Sequence, residues 1–269
     1  MKYLFLLLML TSILGAADSR PNILLILVDD MGYSDLGCFG SEINTPNIDQ
    51  LAANGLSFSN FTNCAKCQTS RTTLLSGRYY TGKDTGAHAK GSVFIPEVLK
   101  GAGYQTFMVG KWHVYNTPAT RGFDRSFGFL NGAVNLYTGE STAKGWEWEL
   151  DGKKYDVPKE DFYCTSEFTK YALDFIAGRD KNKPFFMYAA YNAPHYPLQA
   201  PKEEVMKYRG KYTDGWQALR QTRLAAMKKL GIVHEDQQLG QTETGLRKWD
   251  SLSSKEKDTQ DLLMATYAA

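Results

Sequence analysis

Residues 21–30 read Pro-Asn-Ile-Leu-Leu-Ile-Leu-Val-Asp-Asp, an unbroken apolar run that is bounded by a proline and by two aspartates. A continuous run of this kind is typical of a central parallel strand that is covered on both faces. We therefore predict a strand over residues 22–28, with the carboxylates of Asp29 and Asp30 directly after its end.

Further apolar runs and helical patterns alternate along the chain. Strands are predicted at 57–61, 104–109 and 184–191, and helices at 45–54, 71–75, 95–102 and 168–177. Residues 132–160 are irregular and aromatic, which predicts a loop or small hairpin over the sheet, whereas residues 202–258 are polar and helical. The alternation predicts an α/β fold with a mostly parallel central sheet and helices on both of its faces.

Polar side chains follow three of the predicted strands at the point where each strand ends. Asp29 and Asp30 follow the first strand. Lys111 and His113 follow a second strand, and His195 follows a third. Because open α/β sheets bind ligands outside the carboxyl ends of their strands, we expect these side chains to meet at one edge.

Each polar cluster also has a structural interpretation. Two adjacent aspartates repel each other unless a cation pairs with them, which favours a divalent metal, but they also suit a helix cap or a solvated turn. The segment 110–113 could be a turn with a surface lysine and a packed tryptophan, and 194–197 could be a rigid loop. Their coincidence at one sheet edge favours the functional interpretation.

The first residues have the features of a secretory signal peptide. Lys2 gives a positive start, residues 3–14 are almost entirely apolar, and Gly15-Ala16-Ala17 supplies small residues that suit cleavage after Ala17. The apolar run is too short to span a bilayer comfortably. We therefore predict residues 1–17 to be a signal peptide, the mature protein to be periplasmic or secreted, and no stable membrane anchor.

Charge and cysteine content narrow the range of partners. The formal net charge is +2, which gives no electrostatic footprint for nucleic acid, so a substrate must be recognised by a local site. The four cysteines are too unevenly spaced to indicate a disulfide framework. Cys64 and Cys67 form a Cys-x-x-Cys pair, but the second pair or the histidines that a zinc site needs do not follow at the required spacing.

The segment 67–78 is the most specific part of the sequence, and it resembles the signature of the sulfatase family. The matching positions are Cys67, Ser70, Arg71, Leu74, Leu75, Gly77 and Arg78, whereas Thr69 stands where the family usually has proline or alanine. Further family motifs are matched, in the family's order, at 21–32, 45–52, 110–113, 193–201 and 215–223. The resemblance covers nearly all of residues 20–269, and it implies the fold of the alkaline phosphatase superfamily.

The resemblance also implies a modified residue and a metal. In the family, the cysteine that Cys67 matches is oxidised by a maturation enzyme to formylglycine, an aldehyde whose hydrated form attacks the sulfur of a sulfate monoester. Asp29, Asp30 and the modified Cys67 would contribute to the site of one Ca²⁺ ion.

The remaining roles follow from the same motifs. Arg71 lies four residues after Cys67, so both side chains would share one face of a helix, where Arg71 would orient the hydrated aldehyde. Lys111 would contact this group and the sulfate. His113 would assist proton removal, and His195 would face the bridging oxygen and help the alcohol depart.

The predicted function is hydrolysis of a sulfate monoester, with an aryl or carbohydrate sulfate as substrate. A phosphomonoesterase or phosphonate hydrolase of the same superfamily is one alternative, although Cys67-x-x-Ser70-Arg71 argues against it. The family's downstream Asp-Asn motif and a further lysine do not occur in the sequence. Residues 18–269 are therefore expected to be the N-terminal part of a longer catalytic domain, and an inactive fragment that binds sulfated ligands without turnover is the other alternative.

Overall fold

The computed structural model describes residues 20–80, 82, 85–141, 148–241 and 245–269. The predicted signal peptide, residues 1–17, lies outside the described residues. Within the described part of the chain, no helix combines the length and the apolar character needed to cross a membrane.

A six-stranded sheet forms the centre of the described structure. Its strands are β1 (Ile23–Asp29), β2 (Gln105–Lys111), β3 (Arg125–Phe129), β4 (Trp148–Leu150), β5 (Lys153–Lys154) and β6 (Phe185–Pro194). Their spatial order is β1-β6-β2-β3-β4-β5, and the first four are parallel. The last two join antiparallel as a hairpin. The prediction of a mostly parallel sheet is confirmed, whereas the hairpin predicted between 132 and 160 extends the edge of the sheet instead of lying over it.

Helices cover both faces of this sheet, as the sequence predicts. They are α1 (Pro46–Asn54), α2 (Cys67–Ser76), α3 (Thr85–Lys90), α4 (Ile95–Gly101), α5 (Cys164–Ala177), α6 (Lys202–Met206), α7 (Gly215–Lys229) and α8 (Ser254–Ala268). On one face, Phe168 and Phe175 of α5 pack into a buried cluster with Phe127 and Met187 of the sheet. On the other face, Leu75 of α2 belongs to a second buried cluster.

A smaller apolar cluster lies among α6, α7 and α8. Its buried members are Ile43, Val205, Tyr208, Tyr212 and Ala265, and Leu219 of α7 packs against them. Because Ile43 belongs to the segment between β1 and α1, this helical layer packs directly against the chain that leaves the first strand.

The prediction that the first strand is central and covered on both faces is wrong for the described residues. β1 pairs with β6 alone and forms one edge of the sheet. Ile23, Leu25 and Leu27 pack against the buried cluster, whereas Leu24 and Ile26 are 55% and 50% exposed. A run of apolar residues shows that a strand can be buried, but it does not show how many neighbours the strand has.

Three local predictions also need correction. No strand forms at 57–61, where Phe58 and Phe61 are exposed. Helix α2 begins at Cys67, four residues before the predicted start. The sequence did not indicate this first turn, because the turn is polar and lacks an apolar pattern. Strand β3 was not predicted, since Arg125–Phe129 is short and contains a glycine.

Candidate active site

The predicted site residues meet at the carboxyl edge of the parallel strands. Asp29 ends β1, Lys111 ends β2, and His195 follows the end of β6. Because β6 lies between β1 and β2, these three positions are neighbours across the sheet. A cleft of about 240 Å³ opens at this edge, and Asp29, Asp30, Cys67 and Arg71 are among its lining residues.

Cys67 lies at the first position of α2, at the mouth of this cleft. Lys66 precedes it in an extended conformation, so the helix starts with the cysteine itself. The Sγ atom of Cys67 is 3.3 Å from Nδ1 of His113. Since the amino end of a helix carries partial positive charge, the position of Cys67 favours a negatively charged group beside it.

Arg71, Asp29 and Lys111 form a buried ion triad beneath the cleft. Nζ of Lys111 is 2.5 Å from Asp29 Oδ2, and Nη2 of Arg71 is 3.3 Å from Asp29 Oδ1. Arg71 is 1% exposed, Lys111 0% and Asp29 5%. Two cations therefore share one carboxylate, and the triad has an excess of one buried positive charge.

One donor of the Arg71 guanidinium, Nε, has no partner among the described residues. Nη1 donates hydrogen bonds to the Lys111 carbonyl oxygen at 2.6 Å and to the Tyr188 hydroxyl at 3.3 Å. Nε is buried and has no hydrogen-bond partner among the described residues, whereas Nη2, which also lacks a hydrogen bond, forms the 3.3 Å ion pair with Asp29. Because a buried donor without a partner is costly, an anion with several oxygens is the ligand that this arrangement suits.

His113 is a neutral base held against Cys67. Its backbone is left-handed, with φ of 47°, and its ring lies where a Cβ atom on Gly132 would come within 2.9 Å of Cε1. Burial and, after it, the positive charges of Lys111 and Arg71 together lower the pKa of His113 to about 4. The imidazole is consequently uncharged at neutral pH and can exchange a proton with the group at position 67.

One ring nitrogen of His195 faces Asp30, which lines the cleft, and the other is held by the backbone. Nδ1 lies 2.6 Å from the Tyr196 carbonyl oxygen, so this nitrogen carries the hydrogen in the neutral ring. Nε2 lies 3.6 Å from Oδ2 of Asp30. In the protonated form, Nε2 is the atom of His195 that can deliver a proton to a group bound beside Asp30.

The two predicted metal ligands from the first strand lie side by side, but they do not complete a metal site. Asp29 is already paired with Lys111 and Arg71, and the Asp30 side chain is 58% exposed. Within the described ranges, no group of three or more His, Cys, Asp or Glu side chains is arranged to hold a metal ion. Ca²⁺ seeks six to eight oxygens, so the described residues do not fit this ion by themselves.

Sequence reasoning missed several residues that shape the site. Tyr188 was hidden within the apolar strand β6. It lies on the sheet face against which α2 packs, and this position brings its hydroxyl to Arg71. Gly132 has no signal of its own, because its role is to leave room for the His113 ring. Asn63, Lys66 and Ser70 also line the cleft.

The other cysteines do not form a redox or zinc centre in this structure. All four cysteines are free thiols in the structure. The Sγ atom of Cys64 is 3.6 Å from the hydroxyl oxygen of Thr73, whereas the Sγ atom of Cys67 faces His113. Burial raises the pKa of Cys164 to about 12, which makes that thiol unreactive.

The sequence matches the family model described as Sulfatase over residues 21–253. An uncharacterized sulfatase of Schizosaccharomyces pombe is 36% identical over 94% of this chain and 52% of its own length. The arylsulfatase of Klebsiella aerogenes is 31% identical over 95% of this chain and 60% of its own. The human N-acetylgalactosamine-6-sulfatase is 36% identical over 74% of this chain and 44% of its own. The chain thus spans about half the length of the curated relatives it matches.

Solved structures give the same result for the fold. The crystal structure of Ps i-CgsB has 32% sequence identity and a TM-score of 0.61, over 79% of this chain and 56% of that one. The same protein in complex with k-i-k-neocarrahexaose has a TM-score of 0.57.

Proposed function

The chain belongs to the sulfatase family, and we propose that residues 18–269 form part of a sulfuric ester hydrolase that cleaves sulfate monoesters. The observation that carries the proposal is the position of Cys67. It starts a helix directly above a buried Arg71–Lys111 pair that has an excess of positive charge and one unused donor.

The cations of the chain would bind the substrate's charged end. A sulfate monoester carries a negative charge that repels nucleophiles, so the site must neutralise this charge before attack. Lys111 would contact a sulfate oxygen and the hydrated group at position 67, and Nε of Arg71, which has no partner among the described residues, would donate to that hydrated group and orient it. Both side chains are fixed before the substrate arrives, because their remaining donors are held by Asp29, Tyr188 and the backbone.

The two histidines would manage the protons. His113 is uncharged at neutral pH and touches Cys67, so it can accept a proton from a hydroxyl at position 67. His195 would deliver a proton from Nε2 to the departing oxygen of the alcohol or phenol. The 3.6 Å distance between Nε2 and Asp30 Oδ2 supports this role, because Asp30 lines the cleft.

We further propose that a maturation enzyme converts Cys67 to formylglycine. The hydrated aldehyde would supply two hydroxyls at one carbon, so that one can attack sulfur and the other can release the sulfate. The unpartnered Nε of Arg71 and the nearby Nδ1 of His113 support this proposal, since they suit a pair of hydroxyls at that position.

Asp29 and Asp30 are proposed as this chain's contribution to a Ca²⁺ site. A bound ion would add positive charge beside the sulfate oxygens. The described residues supply only part of the ligands that such an ion needs. Binding of the sulfate group and the two proton transfers are therefore assigned to the side chains of this chain.

Aryl and carbohydrate sulfates are both supported as substrates by the relatives' names. One relative is an arylsulfatase, another is an N-acetylgalactosamine-6-sulfatase, and Ps i-CgsB has been solved with a neocarrahexaose. A periplasmic or secreted location is proposed from the features of residues 1–17.

Hydrolysis of 4-nitrophenyl sulfate and 4-nitrophenyl phosphate by the chain, co-expressed with a formylglycine-generating enzyme, tests the proposal. Turnover of the sulfate ester should exceed that of the phosphate ester, and Cys67→Ala should abolish it. Arg71→Lys should lower turnover at least tenfold, because lysine cannot reproduce the donors of the guanidinium. Preference for the phosphate ester would overturn the proposal. Binding of sulfate without turnover would leave only an anion-binding function.

A further inference from the structure

Asp30 is held in an unusual backbone conformation at the edge of the site. Its φ is 65°, in the left-handed region that residues other than glycine seldom adopt. Such a conformation persists only where surrounding contacts fix it. It turns the chain sharply after β1, and it places Oδ2 of Asp30 3.6 Å from Nε2 of His195.

The hydroxyl of Tyr267 on α8 contacts the backbone of this turn, although Tyr267 lies 237 residues after Asp30 along the chain. It lies 3.0 Å from the Asp30 carbonyl oxygen and 2.6 Å from Oδ2 of Asp35, and its proton can be donated to either. It also accepts a hydrogen bond from the Gly32 amide at 3.0 Å. Burial, followed by the contact with Asp35, raises the pKa of Tyr267, so the hydroxyl keeps its proton.

Asp35 joins this hydroxyl to a rigid support. Its Oδ2 accepts from the Gly32 amide at 2.6 Å, and a Cβ atom on residue 32 would come within 2.7 Å of the same oxygen. Its Oδ1 pairs with Arg223 of α7. Arg223 is fixed in turn by two 2.8 Å hydrogen bonds to Glu42.

We propose that Tyr267, supported by Asp35 and Arg223, is a positioning residue that fixes the Asp30–Gly32 turn and thereby directs the Asp30 carboxylate into the site. The proposal rests on the proposed function, in which Asp30 acts beside His195 and contributes to a cation site. It assigns α7 and α8 a part in the chemistry, although neither helix supplies a lining residue of the cleft.

A second tyrosine in the same helical layer provides a matched control. The Tyr208 hydroxyl accepts a hydrogen bond from the Asn44 amide at 3.2 Å. Tyr208→Phe therefore removes a hydroxyl from the same helical layer without touching the turn at Asp30. A general loosening of the layer would affect both variants, whereas a positioning role belongs to Tyr267 alone.

The test measures amide hydrogen exchange at Gly32 and calcium binding, by NMR, in the full chain and in Tyr267→Phe and Tyr208→Phe. Tyr267→Phe should speed exchange of the Gly32 amide about fivefold, the factor expected for one ordinary hydrogen bond. It should also weaken Ca²⁺ binding, followed at the Gly32 amide with CaCl₂ alone, by at least fivefold. Tyr208→Phe should leave both quantities within twofold of the parent chain.

Unchanged exchange at Gly32 in Tyr267→Phe, or an equal change in Tyr208→Phe, would overturn the positioning role. Faster exchange with unchanged Ca²⁺ affinity would also overturn it, because the turn would then have no effect on the carboxylate. If the parent chain binds no Ca²⁺, the proposed cation site fails by itself. The exchange comparison between the two variants then still decides whether Tyr267 fixes the turn.

Discussion

Replacement of Asp29 by asparagine should destabilise the protein more than most single substitutions, because it removes the shared carboxylate from two buried cations. Asp29, Arg71 and Lys111 are all at most 5% exposed, and the ion-pair distances are 2.5 and 3.3 Å. Removing one partner of a buried ion pair costs about 3–5 kcal/mol, since it leaves an uncompensated charge. The stability of a whole domain is only about 5–15 kcal/mol.

Thermal and urea unfolding, followed by circular dichroism, would measure the effect. A loss of about 3–5 kcal/mol corresponds to a fall in Tm of roughly 6–20 °C for a chain of this size. Asp30→Asn is the matched control, because that side chain is 58% exposed and its substitution should change stability by about 0.5 kcal/mol or less.

A second substitution separates charge imbalance from loss of packing. In the double variant Asp29→Asn, Lys111→Met, one of the two unpaired cations is gone. The free-energy cost of the double variant should therefore fall short of the sum of the two single-variant costs by about 1–3 kcal/mol, as for residues in direct contact. Additive costs, or an Asp29→Asn variant within about 0.5 kcal/mol of the parent chain, would refute the reasoning.

Three further predictions concern other buried groups. Burial raises the pKa of Glu149 to about 7, so the folded state binds the extra proton. The free energy of unfolding should therefore fall as the pH rises from about 5 to 8. Urea unfolding at both pH values should show that Glu149→Gln removes this pH-dependent part of the stability. The pKa of His113 is lowered to about 4 by burial and by Lys111 and Arg71, so the unfolded state binds the extra proton. The free energy of unfolding should therefore fall as the pH drops from about 6.5 to 4, and it should fall less in His113→Gln. Gly132→Ala should press on the His113 ring and reduce turnover of 4-nitrophenyl sulfate at least tenfold, whereas Gly101→Ala, in open space, should not; equal effects would contradict the packing argument.

The parts of the site that follow from strand ends were predictable from the sequence. Asp29, Lys111 and His195 come after apolar runs, and parallel strands bring such positions to one edge. The ion triad itself was not predicted, because the local pattern does not show that Asp29 would neutralise the cations instead of standing free for a metal.

Contacts between distant segments could not be read from local patterns. Tyr267 lies in a helix with no apolar signal that points toward Asp30, and the two residues are 237 positions apart. The edge position of β1 was also hidden, since Leu24 and Ile26 are of the same residue types as their partly buried neighbours in the strand. Local chemistry therefore predicted which residues meet at the candidate site, and only the fold showed which residues hold them in place.

A mass spectrum of the tryptic peptide Cys67–Arg71 tests the central claim most directly. Cleavage after Lys66 and Arg71 isolates this peptide from Cys64, which serves as the unmodified control in the same digest. After co-expression with a formylglycine-generating enzyme, we expect a mass about 18 Da below that of the cysteine peptide, because one oxygen replaces sulfur and two hydrogens. An unmodified Cys67 under these conditions would contradict the claim that this position carries the nucleophile of a sulfatase.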